Sequence, residues 1–143
     1  MMRTANGNMG RLRVGTDLVR VADVGHSIEQ FGDRYLTRVY TPDELSTCRA
    51  DGGWTVERLA SRFAAKEAAT KVLRPLDGLS YQSIEVTLDE LGAPELVLHG
   101  AARRRAEALG LQDTSVSMSH EGEYAVAIVA AMFSSDIDPR NPQ

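Results

Sequence analysis

Two carboxylates stand where their neighbours do not call for them. Asp17 interrupts VGTDLV, a segment otherwise built of apolar or small residues. Glu67 sits in RFAAKEAATK, an alanine-rich stretch whose other charges are the cations Arg62, Lys66 and Lys71. A bare carboxylate is expensive to bury unless it is paired or bound to a cation. Two isolated acids from distant segments suit magnesium, which takes one or two protein carboxylates and completes its octahedron with waters and substrate phosphates. A calcium cage needs more oxygen ligands, and zinc calls for His or Cys. Plainer accounts stay open for both acids. Glu67 can pair with Lys71 at i, i+4, worth only about 0.3–0.5 kcal/mol, and Asp17 can lie at a strand end or edge served by water.

A third element is TSVSMSHEGEYA. Strand alternation puts Ser115, Ser117 and Ser119 on one face and Val116, Met118 and His120 on the other. The hydroxyls and the imidazole can donate to phosphate oxygens, or they can simply be a solvated sheet face and a turn histidine.

The elements that must hold these groups are readable. RLRVGTDLVRV alternates as a strand. ADVGHSIEQFGD is a helix broken around Gly32, and Thr41, Pro42 and Glu44 form a capping box opening another that ends at residues 50–53. The strongest helix runs from Thr55 to Leu73 and is stopped by Pro75 and Gly78. At about 100° per residue, its apolar stripe is Leu59, Phe63 and Thr70 with Val56 nearby, and Glu67 lies on the flank. Its alanines permit close approach by another backbone or a ligand. YQSIEVTL and PELVLHG are strands joined at DELGA, AARRRAEALG is a helix ended by Gly110, and the last two strands meet at Glu121-Gly122-Glu123. The sum is an α+β fold, a mostly antiparallel sheet with helices packed on one side. It forms a single domain over residues 11–133, with flexible tails at 1–10 and 134–143.

The totals exclude several classes. A net charge of -4 gives no general attraction to nucleic acid or anionic membranes, so an anionic partner needs a local basic patch. Cys48 is the single cysteine, which rules out an internal disulfide and a cysteine zinc cluster. No apolar run approaches the roughly 20 residues of a membrane span, and MMRTANGNMG lacks the apolar core of a secretory signal. A cytoplasmic protein is expected.

Together the segments resemble the bacterial holo-[acyl-carrier-protein] synthases, the small 4'-phosphopantetheinyl transferases. VGTDLVRV resembles the family's G-x-D-[IL] opening, RFAAKEAATKVL its R-[FW]-A-x-K-E-A-x-x-K helix, and VSMSHEGEYAVA its V-S-x-[ST]-H closing strand. The likeness spans about residues 11 to 133. It implies transfer of the phosphopantetheine arm of coenzyme A to a serine of an apo acyl carrier protein, releasing adenosine 3',5'-bisphosphate. By position, Asp17 and Glu67 would be the magnesium ligands. Arg62, Lys66, Lys71 and His120, with Thr70, Ser117 and Ser119, would surround the phosphates of coenzyme A. Glu67 would be the base, directly or through a magnesium-bound water, with Asp17 and Lys71 completing the catalytic set. The resemblance further implies a homotrimer with sites between subunits, so that both acids face basic groups of a neighbouring chain.

The chain departs from that pattern at two points. Asp23 and Val24 stand where relatives often carry a basic residue, which leaves Arg20, Arg34 and Arg38 as candidates for docking an acidic carrier. Glu121-Gly122 follows His120 where many relatives show Thr-Lys. An altered docking face would fit a polyketide carrier instead of a fatty-acid one. The arginines at 103–105 point around their helix and read as surface charge. Two alternatives keep other classes open: a magnesium-dependent binder or hydrolase of nucleotide diphosphates without carrier transfer, and a non-catalytic trimeric interaction protein.

Overall fold

The computed structural model describes residues 10–75 and 77–135. The tails expected at 1–10 and 134–143 therefore lie outside the described residues, apart from Gly10, Ser134 and Ser135. The order is β1 (Arg11–Arg20), α1 (Val21–Phe31), α2 (Asp33–Val39), α3 (Pro42–Thr47), β2 (Arg49–Ala50), β3 (Gly53–Trp54), α4 (Val56–Leu73), β4 (Ile84–Leu88), β5 (Pro94–Leu98), α5 (Gly100–Leu109), β6 (Leu111–Glu121) and β7 (Tyr124–Phe133). A single 3-10 turn, Tyr81–Ser83, leads into β4.

The main sheet is antiparallel in the order β1-β7-β6, and β2-β3 and β4-β5 are separate hairpins. Helix α4 lies across the inner face of the main sheet. Small residues on both surfaces make that contact close. From β7 come Ala125, Ala127, Val129 and Ala131, and from the helix Ala60, Ala64, Ala65, Ala68 and Ala69, all buried. Gly15 is the tightest point, since a Cβ there would stand 2.2 Å from the Ala68 carbonyl oxygen. Only glycine lets the strand backbone approach the helix this closely. Asp17, two residues on and on the same face of β1, is thereby brought against α4.

The buried side of α4 thus differs from the stripe expected from side-chain size. Leu59 is fully buried, but Phe63, Glu67 and Thr70 are half-buried at the border of open clefts, while the alanines fill the interior. An alanine surface buries well against another surface of Ala and Gly, although it scores weakly as an apolar stripe.

The ends of the elements follow ordinary chemistry. Thr41 and Glu44 form the reciprocal capping box of α3, with Pro42 at its first position. That helix ends at Thr47, earlier than expected, and residues 49–54 form the β2-β3 hairpin. At the other end of α4, Arg74 takes a left-handed conformation (φ 45°). Arg105 of α5 donates to the carbonyls of Leu73 and Arg74, at 3.0 and 2.7 Å. Arg105 is therefore a helix C-terminal clamp and not mere surface charge; Arg103 does remain exposed, paired with Glu107. No helix among the described residues is long and apolar enough to cross a membrane.

The outer face of the main sheet is another matter. Leu12, Val14 and Leu18 of β1 and Tyr124, Ile128 and Met132 of β7 are exposed there, with Ser115, Ser117 and Ser119 as the adjoining row on β6.

Candidate active site

Asp17 and Glu67 line one cleft, of about 430 Å³, together with Arg20, Asp23, Tyr35 and Phe63. Strand β1 supplies the first acid and helix α4 the second. The plainer alternative, an ion pair between Glu67 and Lys71, does not form. Lys71 instead crosses to β1, where its ammonium lies 3.3 Å from Asp17 Oδ1 and donates to the Thr16 carbonyl at 2.7 Å. Glu67 accepts a 2.7 Å hydrogen bond from the Tyr81 hydroxyl. The i, i+4 spacing permitted the pair, but the strand held close by Gly15 offers Lys71 a second carboxylate and a carbonyl. Glu67 also borders a second cleft, of about 560 Å³, lined by Arg38, Thr70, Leu79, Ser80 and Tyr81.

The cations of the RFAAKEAATK stretch divide sharply. Lys66 is completely buried, 2.7 Å from Glu44 Oε1, and donates to the carbonyls of Tyr81 and Ile84 at 3.0 and 2.6 Å. All three of its N–H groups are committed, so the direct phosphate contact expected of Lys66 is not available in this arrangement. Burial pulls its pKa down, and the Glu44 carboxylate opposes that pull. Glu44 is in turn satisfied by the backbone N–H groups of Thr41 and Val86. The Lys66–Glu44 pair is an internal brace joining α4, α3 and β4.

Arg62 borders a third cleft, of about 360 Å³, with Arg58, Ser61, Met118 and His120. It is only 4% exposed; its guanidinium donates to the Arg58 carbonyl and to Thr47 Oγ1, both at 3.2 Å. Its Nε is buried and has no partner among the described residues. This basic cleft shares no lining residue with the cleft of Asp17 and Glu67. One chain therefore brings together Asp17, Glu67 and Lys71, brings together Arg62 and His120 elsewhere, and leaves Ser117 and Ser119 on the outer sheet face, away from His120. Thr70 borders the second cleft and donates to the Lys66 carbonyl.

Sequence reasoning missed Tyr81, Glu44 and Arg58 as parts of these surroundings. Glu44 was visible as a capping residue; nothing in its spacing showed that the oxygen capping Thr41 also receives the buried Lys66 ammonium, or that its other oxygen takes the Val86 N–H.

The comparisons with known proteins agree with this architecture. The model of the 4'-phosphopantetheinyl transferase superfamily matches residues 13–129. A holo-[acyl-carrier-protein] synthase from Halorhodospira halophila is 46% identical over 118 residues, covering 81% of this chain and 93% of the relative. One from Koribacter versatilis is 42% identical over 120 residues, covering 82% and 95%. Among solved structures, the Helicobacter pylori holo-[acyl-carrier-protein] synthase in complex with coenzyme A superimposes with a TM-score of 0.74 at 27% identity, covering 83% of this chain and 99% of that one. The Neisseria meningitidis enzyme gives 0.72 at 36% identity, covering 82% and 95%. On the match of nearly the whole domain in sequence and in fold, this chain belongs to the holo-[acyl-carrier-protein] synthase family of 4'-phosphopantetheinyl transferases.

Proposed function

We propose that this protein transfers the 4'-phosphopantetheine arm of coenzyme A to a serine of an apo acyl carrier protein, with Asp17, Glu67 and Lys71 at the reacting diphosphate. The observation that carries the residue assignment is the convergence of both acids on one cleft, with the Lys71 ammonium beside Asp17. The donor set fits a hard divalent cation. Asp17 and Glu67 face the same cleft, with Asp23 also in its wall, and the described residues hold no group of three or more His, Cys, Asp or Glu placed to make a cage by themselves. That is the ligand balance expected of Mg2+, whose remaining positions go to water and phosphate oxygens. Bound there, Mg2+ would neutralise the charge that gathers on the diphosphate during displacement.

The chain's own groups do the rest. Lys71 offers a second positive charge to the diphosphate. The carrier's serine oxygen forms the new bond to the β-phosphorus of coenzyme A, and the bond from that phosphorus to the bridging oxygen breaks, leaving adenosine 3',5'-bisphosphate. Glu67 takes the serine proton, directly or through water, and passes it to solvent. Positioning and charge neutralisation supply most of the catalysis in such transfers.

The basic cleft of Arg58, Arg62 and His120 is suited to an anion, and the unpartnered Arg62 Nε leaves one buried donor to satisfy. We assign it to the 3'-phosphate of coenzyme A. Because it is separate from the acidic cleft, one site takes Asp17, Glu67 and Lys71 from one copy and Arg58, Arg62 and His120 from the next. The exposed apolar face of β1 and β7 is available to bury against such neighbours in a homotrimer. An acidic carrier would be met by Arg20 and Arg38, which border the two clefts beside Glu67, and by the exposed Arg34. The test is a mass-shift assay with coenzyme A, Mg2+ and a panel of apo carriers of fatty-acid and polyketide type. Gain of one phosphopantetheine by a carrier supports the reading. Hydrolysis of the diphosphate with every carrier unmodified would overturn it.

A further inference from the structure

Glu67 is held by a residue that lies outside its helix and outside the motif it belongs to. The Tyr81 hydroxyl donates to Glu67 Oε1 at 2.7 Å, while the Tyr81 carbonyl accepts from Lys66 Nζ at 3.0 Å. The two ends of one tyrosine are thus fastened to consecutive residues of α4. The ring between them packs on Phe63, one turn earlier in the same helix, with centroids 5.5 Å apart. The Lys66 end cannot drift, because that ammonium is anchored in the fully buried pair with Glu44.

We propose that Tyr81 is a positioning residue for Glu67: by occupying Oε1 it fixes the carboxylate rotamer and leaves Oε2 as the oxygen presented to the divalent cation. The consequence is a one-oxygen ligand, aimed before the metal arrives, in a side chain that would otherwise be free to rotate at the mouth of two clefts. Hydrogen-bond partners of ligating carboxylates commonly act in this way, and removing one lowers metal affinity by about 10–100-fold. The inference rests on the reading of Glu67 as a metal ligand.

The test follows Mn2+, a paramagnetic stand-in for Mg2+, binding to the protein saturated with coenzyme A, by water-proton relaxation enhancement. Tyr81→Phe keeps the ring against Phe63 and removes only the hydroxyl; its melting temperature reports whether the fold is intact. The variant is expected to bind Mn2+ about 10-fold more weakly than the parent. In a Glu67→Asp background, where the shorter side chain draws back from residue 81, the same change is expected to be silent, because Tyr81 acts only through Glu67. Equal Mn2+ affinity in the parent and in Tyr81→Phe would overturn the proposal while leaving the metal site standing. An equal loss in both backgrounds would overturn it too, placing the hydroxyl's effect elsewhere. Mn2+ binding that is absent in the parent, or unaffected by Asp17→Asn, would remove the metal reading and this inference with it.

Discussion

Lys71 reaches from α4 to the first strand and stands 3.3 Å from Asp17, its ammonium also bonded to the Thr16 carbonyl. The lysine side chain is 54% exposed and the aspartate 20%. An ion pair this open to water contributes little to stability, about 0–1 kcal/mol. In the proposed site its charge acts instead on the diphosphate of coenzyme A. Lys71→Met is therefore expected to melt close to the parent and to lose transfer by about 10²-fold or more. Thermal denaturation beside the carrier mass-shift assay separates the two effects.

Lys66 gives the opposite outcome. Its substitution by Met leaves the buried Glu44 carboxyl without its cation, a defect of about 3–5 kcal/mol. A large drop in melting temperature is expected for Lys66→Met, and the double variant Lys66→Met with Glu44→Gln should recover much of it. A stable Lys66→Met protein with weakened coenzyme A binding would instead return this lysine to the phosphate site.

Gly15 places the first acid. In Gly15→Ala the new Cβ would meet the Ala68 carbonyl at 2.2 Å, so strand and helix must part. Overpacking of this kind destabilises by about 1–3 kcal/mol, and the shift carries Asp17 away from Glu67. Loss of transfer is expected to exceed what the melting temperature alone explains, because kcat falls even where the variant is fully folded.

Two inactive variants should complement each other. In the proposed site shared between copies, Asp17→Asn lacks the acidic half and His120→Ala part of the basic half. In a one-to-one mixture with subunit exchange, about a quarter of the shared sites combine two unaltered halves, as random assembly of a cyclic oligomer dictates. Recovery of roughly that fraction of parent activity is expected. A mixture as inactive as its components would place both halves within a single chain.

Much of this was legible from residue order. Gly15 with Asp17, the Thr41–Glu44 capping box, the alanine helix and the serine alternation of β6 each express a short-range rule, and the elements formed accordingly. What was not legible depends on partners far apart in the chain. Lys66 looked like a phosphate ligand because an ammonium in a helix reads as exposed until Glu44, Tyr81 and Ile84 are seen to enclose it. Spacing offered Lys71 to Glu67 as a possible partner, and nothing short-range showed that β1 presents it with Asp17 instead. Tyr81 carried no periodic signal; its role arises from a turn that folds back 14 residues after Glu67. The alternation of β6 already parted Ser117 and Ser119 from His120, but only the fold shows that the imidazole's face opens on the cleft of Arg62.

The most direct measurement is a crystal structure of the protein soaked with Mn2+ and coenzyme A, with anomalous scattering used to locate the metal. A single peak within coordination distance of one oxygen of Asp17, one of Glu67 and the diphosphate is the predicted result. A well-ordered diphosphate with the peak elsewhere, or with both carboxylates turned from it, would contradict the assignment.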